Sequence, residues 1–170
     1  MTDETTAAAQ APAADPNAPQ VAMQAIYIKD VSFESPLGPL AAANAQAQPE
    51  IGLNLNTSGN QLAPDLHEVV LTVTVSAKAG ENTFYLCEVK QAGLFVLRGL
   101  NGDQLRAVVA SFCPNMLLPY ARQTVSDLIT KGGFPPFFVP PVNFDALLEQ
   151  AIAQQQSQEG AANDGGTALN

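Results

Sequence analysis

Apolar and polar residues alternate through the first hundred positions of this chain, and a helical period replaces the alternation afterwards. The alternation is cleanest in LHEVVLTVTVSAKA, where Val69, Leu71, Val73, Val75 and Ala77 share one parity and Glu68, Thr72, Thr74, Ser76 and Lys78 the other. Strand side chains point to opposite faces in turn, so this segment predicts an antiparallel strand with one buried face. The AGEN turn at 79–82 sends the chain back into TFYLCEVKQAGLFVL. There Tyr85, Cys87, Val89, Gln91 and Phe95 share one parity, and Leu86, Glu88 and Lys90 form an outward, charged one. EIGLNLN alternates through Ile51, Leu53 and Leu55. QAIYIKDVSFE is rich in strand-forming residues but irregular. Ile26 and Ile28 share a parity with Asp30, Ser32 and Glu34, while Tyr27, Val31 and Phe33 take the other. A bulge, or burial that tapers along the strand, accounts for such a change.

Between the first two strands runs SPLGPLAAANAQAQP, residues 35–49. It is too long for a tight hairpin, so it predicts a crossover and a Greek-key order of four strands. From Asp103 the period lengthens: Leu105, Val108, Val109 and Phe112, then Leu117, Leu118, Ala121, Val125, Leu128 and Ile129, follow helical spacing. Pro114 and Pro119 are expected to break or kink this helix, and Gly132–Gly133 to end it. A last helix starts from Asn143 as N-cap and buries Phe144, Leu147, Leu148 and Ile152. Strands followed by helices give an α+β fold, a four-stranded antiparallel sheet with helices packed on one face.

The ends change the picture of organisation. Residues 1–22 are rich in Ala, Pro, Gln and Asp, and 153–170 in Gln, Gly and Ala, with too little apolar bulk to offset the entropy of ordering. Both are expected to be disordered tails, the second acidic, around one domain at 23–152. Seven Lys and Arg against sixteen Asp and Glu give a net charge of −9, which disfavours nucleic acid and anionic membranes and favours a basic partner. No basic n-region with an apolar h-region opens the chain, and no run approaches the roughly 20 apolar residues of a membrane helix, so a cytoplasmic protein is expected.

Candidate chemistry is sparse. Cys87 and Cys113 lack CxxC spacing and a histidine cluster, so neither a disulfide frame nor a metal site is predicted. The one histidine, His67, is a thin basis for catalysis, and no nucleotide-binding or hydrolase motif occurs, so no catalytic residue and no cofactor is assigned. Surface chemistry remains. Asp30, Glu34 and Glu88 fall on charged strand faces, either as a solvated sheet surface or as a docking surface for a basic partner. GGFPPFFVPPVNF, residues 132–144, gathers four phenylalanines and four prolines. Phe134 and Phe144, at helix ends, are expected to fold back onto the core. Phe137, Phe138 and Val139 sit on proline-fixed backbone that wraps poorly, and are expected to line an open apolar groove.

The segments YIKDVSFESP, PEIGLNLN, YLCEVKQAGLF, FCPNMLLPYAR and GFPPFFVPPVNFDAL, in this order over most of residues 26–148, resemble the signature segments of the SecB family of bacterial export chaperones. The resemblance implies a cytoplasmic homotetramer, a dimer of dimers, that holds unfolded preproteins without ATP and delivers them to the SecA motor. It implies SecA docking on Asp30, Glu34, Leu86 and Glu88, and support of the tetramer interface by Cys87, Val89 and Gln91. It implies a client groove between the crossover and the helix connection, with Leu37, Leu40, Phe134, Phe137, Phe138, Val139 and Val142. The Ala- and Gln-rich crossover and the extra aromatics at 134–142 depart from the family pattern and shift the groove toward the latter. A SecB-like chaperone of a toxin–antitoxin pair, a carrier of small apolar ligands, and a thiol enzyme built on Cys113 are the alternatives.

Overall fold

A computed structural model describes residues 19–44 and 48–164. Four strands, β1 (Gln20–Glu34), β2 (Glu50–Ala63), β3 (Leu66–Ala79) and β4 (Asn82–Arg98), form one antiparallel sheet in the order β1-β4-β3-β2. Strands β2 to β4 are joined as consecutive hairpins, and β1 returns to the far side of β4, which is the expected Greek-key order. The crossover holds a short helix, α1 (Gly38–Ala43). The helical half comprises α2 (Gly102–Ala107), a π-turn at Val108–Phe112, α3 (Cys113–Lys131) and α4 (Phe144–Asp164).

The core is the layer between the sheet and α3. Val69, Leu71, Val73, Val75 and Ala77 of β3 and Cys87, Val89 and Phe95 of β4 are buried there against Leu117, Ala121, Val125 and Ile129. Both alternations read from the sequence therefore hold. The irregular β1 resolves as a bulge: pairing slips between Ile28, opposite Gln91, and Asp30, opposite Lys90. Lys29 is the extra residue. The slip exchanges faces, so Ile26 and Ile28 join Val31 and Phe33 on the helix side, and Tyr27 joins Asp30 on the outer side.

The prolines do not break the helix. The N–H of Cys113 bonds the carbonyl of Val108, five residues back, and this wider turn comes immediately before Pro114, which has no N–H to offer. Pro119 is accommodated inside α3. Helix α4 is capped as expected, with Asn143 Oδ1 accepting from the N–H of Ala146 at 3.0 Å. It departs from expectation in two ways. Only Phe144 of its first turns is buried, with Leu148 half-buried and Leu147 and Ile152 exposed, because this helix lies at the margin of the fold and not over the sheet centre. It also runs on to Asp164, past the expected end of the domain at 152. At the other terminus β1 begins at Gln20, inside the segment expected to be a tail, and residues 1–18 lie outside the described part.

One close approach ties the helix end to the sheet end. A Cβ at Gly132 would lie 2.2 Å from the Phe33 ring, and one at Gly133, which has φ of +85°, would lie 3.0 Å from Pro39. The Phe33 ring cannot easily yield, since it packs with Tyr85 at 6.0 Å and Phe134 at 6.3 Å between centroids, and Tyr85 packs with Phe134 at 4.9 Å. Gly132→Ala is therefore expected to cost about 1–3 kcal/mol by overpacking, read as a lowered urea midpoint at unchanged m-value.

Candidate functional site

The aromatic trio fixes the start of the loop 132–143 against the sheet end and the crossover. Phe134 is buried in it, as is Phe144 at the head of α4, so both act as the expected anchors. Between them the prolines hold an extended path. Phe138 is 76% exposed, Phe137 and Val142 are half-buried against the core, and Val139 is only 3% exposed. Val139 therefore does not line an open surface; its side chain turns inward where Phe138 turns outward, as alternation along extended backbone requires. On the crossover, Leu37 is 47% and Leu40 73% exposed. The contact of Gly133 with Pro39 shows that crossover and loop meet, so these exposed apolar side chains belong to neighbouring segments at one end of the molecule.

The outer sheet face carries the second group. Asp30 pairs with Lys90, Ser32 with Glu88, and Glu34 with Leu86 across β1 and β4, so Asp30, Glu34, Leu86 and Glu88 form one patch on two adjacent strands. Sequence reasoning put Lys90 on this face and missed its role. Its Nζ donates to Asp30 Oδ2 at 3.1 Å and lies 3.3 Å from Glu88 Oε1, and these carboxylates raise its pKa. Glu88 also accepts from the Thr74 hydroxyl at 3.2 Å. Further along this face Glu68 accepts from Lys29 at 2.5 Å and from the Tyr27 hydroxyl, which lower its pKa, while that bond pushes the Tyr27 phenol up to about 12. The patch is thus an acidic surface with part of its charge already neutralised from within.

Cys87, Val89 and Gln91 lie elsewhere than on a surface. All three are buried under α3, with Gln91 Nε2 donating to the Tyr27 carbonyl at 2.9 Å. They belong to the subunit's own core, and any support they give to assembly acts through the position of α3. Burial also pushes the Cys87 thiol up to about 11 and the Cys113 thiol up to about 12, which leaves essentially no thiolate at neutral pH and removes the observation on which a Cys113 nucleophile would stand. Among the described residues no cluster of His, Cys, Asp or Glu could hold a metal ion, and no helix is long and apolar enough to cross a membrane.

A feature the sequence did not suggest lies at the opposite end of the strands. A cavity of about 870 Å³ opens between β2, the start of β3, α2, the π-turn and α4, with His67 in its wall. The only hint was that His67 breaks an otherwise apolar strand entry. Its outer wall is held by the Ser111 hydroxyl, buried on the π-turn, which donates to the Asp145 carboxylate of α4.

A Greek-key sheet backed by one long helix, with apolar side chains held in the open on rigid backbone beside it, defines a binding scaffold of the SecB-like α+β class. The profile of the preprotein translocase subunit SecB matches residues 14–155. The chain belongs to the SecB family. It is 47% identical over 161 residues to the protein-export protein SecB of Stenotrophomonas maltophilia, covering 95% of this chain and 93% of that protein. It is 49% identical over 144 residues to that of Nitrosococcus oceani, covering 84% and 87%. In fold it is similar to the Mycobacterium tuberculosis SecB-like chaperone Rv1957, solved with a ChAD peptide from the HigA1 antitoxin, with a TM-score of 0.56 at 16% identity over 72% of this chain and 91% of that one.

Both thiols are expected to be inert to a thiol-reactive chromophore at pH 8 in the folded protein, and to react with a stoichiometry of two on unfolding in urea. Fast labelling of the native state would contradict their burial.

Proposed function

We propose that this chain is a holding chaperone for protein export, which binds unfolded preproteins without ATP and passes them to the SecA motor in the cytoplasm. The observation that carries the holding role is the exposed apolar set Leu37, Leu40 and Phe138, kept from collapsing by the proline-fixed path of the loop. An aromatic side chain buries about 150–250 Å², which at about 25 cal/mol per Å² gives a few kcal/mol per contact before ordering costs. One contact is weak and indifferent to sequence. Several copies of the site on one assembly raise the effective concentration for a long client, so holding is tight only while the client stays unfolded. Selection is then by folding rate.

A homotetramer, as a dimer of dimers, supplies those copies. Met23, Ile28 and Val31 on the helix side of β1 are exposed, beyond the reach of α3, and support self-association. The relatives named protein-export proteins favour export over service to a toxin–antitoxin pair. For SecA, the patch of Asp30, Glu34, Leu86 and Glu88 is the docking surface in this reading, suited to a basic and partly apolar partner.

The protein is expected to slow refolding of a slow-folding preprotein at about one tetramer per client with no nucleotide present; an unchanged refolding rate would sink the reading. Leu40→Ser with Phe138→Ser is expected to weaken client affinity by about tenfold or more, with the tetramer intact by sedimentation. Glu88→Lys is expected to reduce SecA binding in a pull-down and leave client affinity within twofold, and loss of both would show the docking face to be misplaced.

A further inference from the structure

We propose that the cavity beneath α4 is a second polypeptide-binding site, which takes an uncharged aliphatic stretch of an unfolded client and pairs one of its peptide groups with His67. This rests on the reading of the chain as a holding chaperone. The wall is aliphatic: Leu105 of α2, Val109 of the π-turn, and Leu148 and Ile152 of α4 line it, and no aromatic residue does. A volume of about 870 Å³ lies in the range of cavities that take ligands.

His67 is the one element that such a wall does not explain. Its side chain lines the cavity, the residue is only 8% exposed, and Nδ1 is buried with no hydrogen-bond partner among the described residues. Leaving a buried polar atom unpaired costs free energy, so a ligand that supplies a partner gains more than its apolar area. An imidazole nitrogen donates or accepts according to tautomer, and a peptide unit offers both a carbonyl and an N–H. In an extended chain such units recur about every 3.3 Å, so nearly any register brings one to His67. The bond therefore adds affinity without adding sequence preference. A lipid tail has no such group along its length.

Charge points the same way. The charged residues at the rim, Asp103 and Arg106, are bonded to each other within α2, so the cavity offers no free charge for an ionic head group. The site is also at the far end of the strands from Leu37, Leu40 and Phe138: His67 faces Phe95 near the end of β4, whereas the aromatic trio packs on Tyr85 near its start. A client segment of some length could occupy both ends at once, one reading aromatic and the other aliphatic side chains.

The test uses two fluorescent peptides of equal length in uncharged Ser-rich sequence, one bearing Leu and Val, the other Phe and Tyr, with affinities from anisotropy on the full-length protein. His67→Phe is expected to weaken the aliphatic peptide about tenfold, as one hydrogen bond to a buried group, and the aromatic one less than twofold. Ile152→Ser, at an exposed position of α4, is expected to weaken the aliphatic peptide in the same direction and serves if His67→Phe fails to fold. A photo-crosslinker on the aliphatic peptide should label residues of α4. The proposal is overturned if neither variant changes aliphatic binding, or if both peptides weaken equally. It is also overturned if native mass spectrometry finds the cavity filled by a co-purified amphiphile, or if crosslinks show it closed by a second copy of the chain. If instead Leu40→Ser with Phe138→Ser leaves both peptides unaffected while His67→Phe acts as stated, the aromatic groove fails and this site stands.

Discussion

Everything in this structure depends on one layer of contact, the burial of the helix-facing side of β3 and β4 under α3. Val69, Leu71, Val73 and Val75 on one strand and Cys87, Val89 and Phe95 on the next meet Leu117, Ala121, Val125 and Ile129. Each fully buried aliphatic side chain contributes about 1.5–3 kcal/mol relative to exposure, so the layer is the main term holding the domain together. Because burial uses only one parity, the other is free of structural duty. That is why charged and hydroxyl side chains fill the outer face from Asp30 to Thr74, and why a partner can meet it without disturbing the core.

The same layer limits what the fold can cover. A single long helix shields two strands well and leaves the edges bare. β1 keeps exposed Met23, Ile28 and Val31, and α4 sits at the margin with little of its own surface buried. Uncovered apolar surface on a small chaperone subunit is available both to other subunits and to clients. The aromatic trio of Phe33, Tyr85 and Phe134 closes one end firmly, so the neighbouring Leu37, Leu40 and Phe138 are presented on a fixed base.

How much of this was legible follows from how local each cause is. Strand parity is local, so the buried rows of β3 and β4 and the outward patch with Glu88 could be read directly. The face change in QAIYIKDVSFE was visible as a broken alternation, and the bulge at Lys29 is its cause. Crossover length gave the strand order. What could not be read depends on the depth of neighbours. Val139 and Phe138 are adjacent and chemically similar, yet one turns inward, which only the path of the loop decides. Cys87, Val89 and Gln91 share the apolar parity, but parity cannot say whether the cover is this chain's helix or another subunit. Leu147 and Ile152 have helical spacing without a core to meet. The cavity beside His67 is formed by five segments far apart in sequence, so no single stretch announces it.

The π-turn at Val108–Phe112 also sets an angular phase. One residue more than an α-helical turn holds advances everything N-terminal to it by about 100° around the helix axis. Val109 meets Gly59 of β2 and Ser111 meets Asp145 of α4 only in that setting. Shortening the helix there by one residue would leave α3 seated on the sheet while turning α2 to another azimuth. The far end of the molecule is therefore geared to the core through a single wide turn, and its orientation can be inherited or altered independently of the packing that makes the domain stable.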